Sequence, residues 1–235
     1  MLGKTMKRFH NQAGVIATGA GFAVQLDGRG VKTPAGRKLE VPTERLAQAI
    51  AVEWDAQDGE IRPHTMPLTQ LASTALDRVG PERAAIIEQM IAYAGTDLLC
   101  YRAQSPSDLV EKQTQAWQPV LDWCQTRLDA GLVTTTGLVA VDQPAAALAA
   151  LRVKLRSYDV WRLTVVQAAC AASGSLVLAL ALAEGRLDGE ECFAVSTIDE
   201  AHQIALWGDD AEAAERRALL RRDIVAAAEL LGLLG

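Results

Sequence analysis

Between Leu163 and Ala183 the chain carries no charged residue. A run of about 20 apolar residues is what a helix needs to cross a bilayer, so this stretch bears on whether the fold is built in lipid or in water. It contains Gln167, Ser173, Gly174 and Ser175, is rich in alanine, and lacks basic and aromatic belts on both flanks. Those features point away from a membrane span and toward one helix, or two consecutive helices, buried on all sides at the centre of a helical domain.

The rest of the composition suits such a core. Half of the 235 residues are hydrophobic and 22% are charged, which is too apolar for a disordered chain and sufficient for one large domain or two small ones. The formal net charge of -6 disfavours nucleic acid and anionic membranes, both densely negative, as partners. Cys100, Cys124, Cys170 and Cys192 lie at least 22 residues apart and make no metal-like spacing with His10, His64 or His202, so they read as buried reduced thiols. No long basic-then-apolar N-terminal segment precedes the first strand-like residues, and the expected location is a bacterial-type cytoplasm.

The hydrophobic period changes along the chain. From Gly14 to Pro42 apolar residues alternate in short runs separated by Gly19 to Gly21, Asp27-Gly28 and Ala35-Gly36, which predicts a small antiparallel meander with Asp27-Gly28 as a hairpin turn. Thr43 then stands as the N-cap of a helix with Leu46, Ile50 and Trp54 on one face. Ile61 to Pro67, with two prolines, reads as an extended connector or edge strand.

Helical signals dominate after that. Ser105-Pro106-Ser107-Asp108 predicts an N-cap followed by proline at the first helical position, in a helix reaching Leu128 and kinked or interrupted at Pro119. Further starts fall near Pro144, Asp159, Asp188 (with Glu191 completing a capping box) and Asp210. In the last helix Leu220, Ile224, Ala227 and Leu231 form the expected inward stripe, with Glu212 and Arg216 paired outside. The expected fold class is α+β, with a β-rich N-terminal domain over residues 1–65 and a multi-helical C-terminal domain over residues 66–235.

Two fragments imitate nucleotide motifs. Gly3-Lys4-Thr5 resembles the end of a phosphate loop, but only Met1 and Leu2 precede it, too few to supply the strand and glycines of the cradle. Asp199-Glu200-Ala201-His202 spells a helicase-type acidic box, yet the pattern places it in the middle of a helix starting at Asp188 and not at the end of a parallel strand. Gly28-Arg29-Gly30 lacks the third glycine of a dinucleotide fingerprint and reads as a turn. There is no Gly-x-Ser-x-Gly elbow and no His-Glu-x-x-His helix, so no catalytic residue, cofactor site or metal site is assigned. Carboxylates such as Asp97 and Glu53 leave an acid/base enzyme open as an alternative, and a subunit of some other complex is a third.

The helix containing Asp199 offers a different reading. At 100° per residue Val195, Ile198, Ala201 and Ala205 gather on one side, expected inward, while Ser196, Glu200, Gln203 and Trp207 gather on the other. A tryptophan beside a glutamate and a glutamine is either a contact under the next helix or an anchor for a protein partner. Arg216, Arg217, Arg221 and Arg222 of the next helix read as a solvated face or as partners for nearby acids.

Taken in order, Leu26-Asp27-Gly28-Arg29, Lys32-Thr33-Pro34, Glu53-Trp54 with Gln57, Ile61, Pro63 and Met66-Pro67 resemble the N-terminal half of the ATP synthase F₁ assembly chaperones that act on the α subunit. Thr96 to Arg102 resembles that family's central signature, and Asp199-Glu200, Gln203, Trp207-Gly208, Asp210, Glu212 and Arg216-Arg217 its C-terminal one. The resemblance implies a β-rich domain followed by a helical one. It further implies a monomeric chaperone that binds the free F₁ α subunit transiently, prevents its aggregation and releases it to β subunits, with no catalysis and no cofactor. The family occurs in mitochondria and in α-proteobacteria, and the chain resembles the bacterial kind. An acidic residue of the C-terminal signature is implied to matter, which falls on Glu200 with Asp199 adjacent; Gln203 and Trp207 complete the expected partner-binding group.

Overall fold

The computed structural model describes residues 6–137 and 141–235, so the Gly3-Lys4-Thr5 fragment lies outside the described residues. The chain divides into two compact units, residues 1–83 with 229–235, and residues 84–228.

In the first unit β1 (Met6–Lys7) is followed by β2 (Ala13–Thr18) and β3 (Gly21–Leu26), a hairpin in which Ala13 pairs with Leu26 and Thr18 with Gly21. Asp27 and Gly28 turn the chain with φ of 47° and 78°, the left-handed pair that an Asp-Gly hairpin supplies. The next strands, β4 (Arg29–Gly30) and β5 (Glu40–Val41), both pair antiparallel with β3, so the predicted meander holds through β4, and β5 then returns to β3 instead of adding beyond β4. Gly28-Arg29-Gly30 is therefore part of this turn and strand.

Thr43 caps α1 (Glu44–Asp55) by accepting from the Leu46 amide at 3.2 Å, and donates its own hydroxyl hydrogen to the Leu233 carbonyl at 2.7 Å. Leu46 and Ile50 are fully buried as the periodicity predicts, whereas Trp54 is only half-buried. The segment expected to be extended over Ile61 to Pro67 is extended only in β6 (Glu60–Ile61), which pairs with β1; Pro63–Thr65 is a 3₁₀ turn and α2 (Pro67–Thr74) begins at the second proline. Proline suits both positions because a first helical turn needs no N–H from it.

Residue 65 was the expected domain boundary, but it falls inside the first unit. The reason is Glu53: its carboxylate on α1 accepts from the Leu68 and Thr69 amides at 2.7 and 2.8 Å, and from the Thr69 hydroxyl at 2.7 Å. That ties the start of α2 to α1. A π-helical turn, Ala75–Val79, follows α2, and its Asp77 accepts from the Thr33 hydroxyl and the Ala35 amide, pinning the 33–37 turn.

The second unit contains α3 (Arg83–Gly95), whose first residue belongs to the first unit, a 3₁₀ turn at Leu98–Cys100, β7 (Tyr101–Arg102), α4 (Ser107–Leu128), β8 (Thr135–Thr136), α5 (Ala145–Ser157), α6 (Val160–Ser173), α7 (Leu176–Ala183), α8 (Gly189–Ser196), α9 (Ile198–Trp207) and α10 (Ala211–Leu234), whose last residues belong to the first unit. The fold is α+β. The charge-free stretch becomes two helices separated at Gly174, which takes a left-handed φ of 71°, and Ser175, which caps α7 through the Leu178 amide. All eight residues of α7 are buried. Among the described residues no helix is long and apolar enough to cross a membrane.

All four cysteines are free and buried in this unit, and burial pushes the Cys100, Cys124 and Cys192 thiols up to about 12. The start of α4 departs from expectation: Pro106 is the N-cap and Ser107 the first helical residue, with no side-chain capping bond. Nor does Pro119 interrupt α4. Trp117, Val120, Leu121 and Cys124 are buried on either side of it, and burying such side chains at about 1.5–3 kcal/mol each outweighs the loss of one backbone hydrogen bond.

Candidate functional site

The residues of interest lie on α9, a ten-residue helix set off at both ends. Asp188 and Glu191 form the predicted capping box of α8, but α8 stops at Ser196. Thr197, with φ -114° and ψ 22°, leaves helical geometry, and its hydroxyl donates to the Phe193 carbonyl at 2.9 Å. Asp199-Glu200-Ala201-His202 therefore occupies the first turn of a new helix and not the middle of one starting at Asp188. At the other end Gly208, at φ 83°, donates its amide hydrogen to Ile204, and the Asp210 carboxylate accepts from the Glu212 and Ala213 amides to start α10.

The restart at Thr197 changes which face is buried. Val195, Ile198, Ala201 and Ala205 were expected inward; Ala201 and Ala205 are exposed, and Val195 and Ile198 are half-buried. The buried residue of α9 is His202, with Asp199 half-buried on the same side. Both meet polar groups of α4. Gln113 donates its amide hydrogen to Asp199 at 2.7 Å while its oxygen accepts from the Ala103 amide at 2.8 Å. His202 Nδ1 stands 3.4 Å from the Lys112 ammonium and 3.5 Å from the Asp108 carboxylate. Nearby, the indole of Trp117 donates to the Val195 carbonyl at 2.8 Å, and the Arg102 guanidinium lies 5.3 Å from the Trp117 ring centre. Polar anchoring of α9 thus replaces the aliphatic stripe that the sequence suggested.

What α9 leaves to solvent is correspondingly apolar. Trp207 is 78% exposed and Leu206 57% exposed. Gln203 is exposed and Glu200 half-buried, so Glu200, Gln203 and Trp207 are all reachable, while Asp199 is committed to Gln113. On another side of the helix a shallow groove of about 450 Å³ is floored by Ala116, Ala194, Ile198 and Ala201 and edged by Lys112 and His202. Sequence reasoning did not single out Leu206. Its signal was present, since two large apolar residues in succession stand directly before the helix-ending Gly208-Asp209-Asp210.

On α10 the ion pairs also differ from expectation. Arg217, not Arg216, finds an acid, Asp209, at 2.6 Å, and Arg221 pairs with Glu190. Ile224 and Ala227 are buried as predicted, but Leu220 and Leu231 are only half-buried.

The two carboxylates that kept an enzyme reading open are both occupied. Glu53 holds the start of α2. Asp97 is fully buried and accepts from the Leu99 amide at 3.1 Å, the Ser175 hydroxyl at 2.7 Å and the Val177 amide at 3.1 Å. Burial pushes its pKa up to about 6 in spite of those donors.

The model of the ATP12 chaperone protein family matches residues 7–125, half of the chain. The chain belongs to the ATP12 chaperone family. This is the F₁-assembly family that its motifs resemble. The mitochondrial protein atp12 of Schizosaccharomyces pombe is 27% identical over 223 residues, covering 90% of this chain and 77% of that protein. Atp12 from Paracoccus denitrificans superposes with a TM-score of 0.91 at 38% identity, covering 97% of this chain and 98% of the other. The Atu1473 protein of Agrobacterium tumefaciens gives 0.93 at 39% identity, covering 98% and 87%. The ATP12 fold thus extends over nearly all of this chain, beyond the residues that the family model matches.

Proposed function

We propose that this ATP12-family protein binds the free α subunit of the ATP synthase F₁ sector, prevents its aggregation and releases it during assembly with β subunits, without catalysis. An unassembled ring subunit presents the apolar surface that its neighbours will cover, and such patches self-associate. A binder that covers one reversibly needs a complementary surface, not a reactive group. Membership of the ATP12 family carries this reading. It is supported by the way Glu53 and Asp97 are spent on holding helix starts.

The contact surface is proposed to include Glu200, Gln203 and Trp207, with Leu206 beside Trp207. Exposed tryptophan with an aliphatic neighbour and a polar rim is the composition of an interface hot spot. Asp199 takes a positioning role: through Gln113 it fixes α9 on α4. The protein is proposed to act as a monomer in the bacterial cytoplasm, in keeping with its likeness to the two bacterial structures; the S. pombe relative is named as mitochondrial.

The test is binding of purified F₁ α subunit by Trp207→Ala and Glu200→Lys. Truncating an anchor of this exposure is expected to weaken binding about 30-fold, the ~2 kcal/mol typical of a hot spot, with the melting temperature unchanged. Wild-type affinity in both folded variants would remove α9 from the interface.

A further inference from the structure

The four-stranded sheet of the first unit ends on one side in a strand whose edge carries no charge. β3 is paired on one side by β2 and on the other by β4 and β5, so β2 is an edge strand. Its sequence, Ala13-Gly14-Val15-Ile16-Ala17-Thr18, contains no charge and no proline. Exposed edges are ordinarily guarded by lysine, proline, a bulge or shortness, because their free N–H and C=O groups template pairing with another chain.

The register identifies the free groups. The Asp27 amide donates to the Gln12 carbonyl, which makes 12 and 27 a hydrogen-bonded pair, and antiparallel pairs alternate. Gly14, Ile16 and Thr18 therefore bond to β3, while Ala13, Val15 and Ala17 turn their backbone groups to the open side. The Asp55 carboxylate accepts from the Ala13 amide at 2.7 Å, which closes one end of the edge. No described hydrogen bond reaches the amide or carbonyl of Val15 or Ala17 on that side. Ile16, on the opposite face of the strand from the buried Ala13, is 42% exposed, and Ala17 is exposed too.

From this we infer that β2 receives an extended segment of the client, added to the sheet as a further strand. The inference rests on the α-subunit reading above and adds a second contact, distinct from α9. The open backbone groups of Val15 and Ala17 match what an extended main chain supplies on strand addition. The uncharged strand selects an uncharged, β-forming segment, since apolar and β-branched cross-strand pairs stabilise such a junction and a facing charge would go unpaired. A second copy of this chain is the weaker occupant. Six residues a side fall well short of the roughly 20–30 a side that a stable interface needs, and a client that also engages α9 supplies the remainder.

Ala17→Pro tests the inference, because it deletes an outward N–H and leaves the β2–β3 ladder whole; proline is tolerated at an edge position of that kind. Affinity for purified F₁ α subunit is expected to fall about tenfold, with Ala17→Val retaining wild-type affinity. Hydrogen exchange on the wild-type protein gives a readout independent of folding of the variant: the Val15 and Ala17 amides exchange fast in the free protein and slow on addition of α subunit. Binding by Ala17→Pro at wild-type affinity, or exchange at Val15 and Ala17 unchanged by α subunit, overturns the edge contact and leaves the α-subunit reading standing. Failure of the wild-type protein to bind α subunit overturns both. A concentration-dependent dimer in sedimentation that Ala17→Pro abolishes overturns the client as occupant in favour of self-pairing.

Discussion

Asp97 offers the sharpest test of how the helical unit is held. Its carboxylate is fully buried and serves the Leu99 amide, the Val177 amide and the Ser175 hydroxyl, joining the 3₁₀ turn at Leu98–Cys100 to the first turn of α7. Asp97→Ala leaves those donors buried without a partner, at about 2 kcal/mol each and so about 6 kcal/mol in sum. Against this, the variant no longer keeps a carboxylate out of water. Burial raises its pKa from 3.8 to about 6 even with those donors in place, so this relief offsets part of the loss. The net expectation is a loss smaller than that sum, about 3 kcal/mol, or roughly 6–12 °C in melting temperature for a chain of this size. Thermal unfolding at pH 7, followed by circular dichroism, measures the total; hydrogen exchange of the α7 amides reports the helical unit by itself. A variant that melts within about 2 °C of wild type, with α7 protection unchanged, would refute the idea that this carboxylate joins the two elements.

The same group predicts a pH dependence. Because the folded pKa is raised, the folded protein holds the proton more tightly than the unfolded chain, so the contribution favours folding at low pH and is lost as pH rises through about 6. Relative to Asp97→Asn, the wild type should therefore gain melting temperature between pH 7 and pH 5; a flat difference contradicts the assignment. Gly21→Ala should destabilise the first unit by roughly 3 kcal/mol or more, since φ is 146° and an added Cβ would meet the Val41 carbonyl oxygen at 2.3 Å. A denaturation midpoint equal to wild type would contradict that contact. Cys100, Cys124 and Cys192, buried and with thiols pushed up to about 12, should react with a thiol reagent only at the rate of unfolding. Rapid labelling of the native protein at any of them would show that the core opens.

Local chemistry was legible from the residues. Asp27-Gly28, Thr43, Asp159 and the Asp188/Glu191 box act as predicted because each is decided within about four residues of chain. The burial of Leu163 to Ala183 was legible for a different reason, since an uninterrupted apolar stretch has few other ways to be satisfied in water, while the choice between one helix and two was left open until Gly174 and Ser175 divided it. The candidate site was less readable. The helix near Asp199 stays a proposed site, and its orientation was not visible, because Gln113, Lys112 and Asp108 lie about 90 residues earlier and turn Asp199 and His202 inward. The break at Thr197 left no proline or glycine to mark it. Pro119 shows the converse, a strong local breaker overridden by burial of its neighbours.

This protein is proposed to hold the free F₁ α subunit. Mixing the two purified proteins and following light scattering together with sedimentation tests it most directly. A soluble complex with one copy of each chain and suppression of α-subunit aggregation, both weakened by Trp207→Ala, are the expected results. An α subunit that aggregates at its unassisted rate and sediments apart from this protein would contradict it.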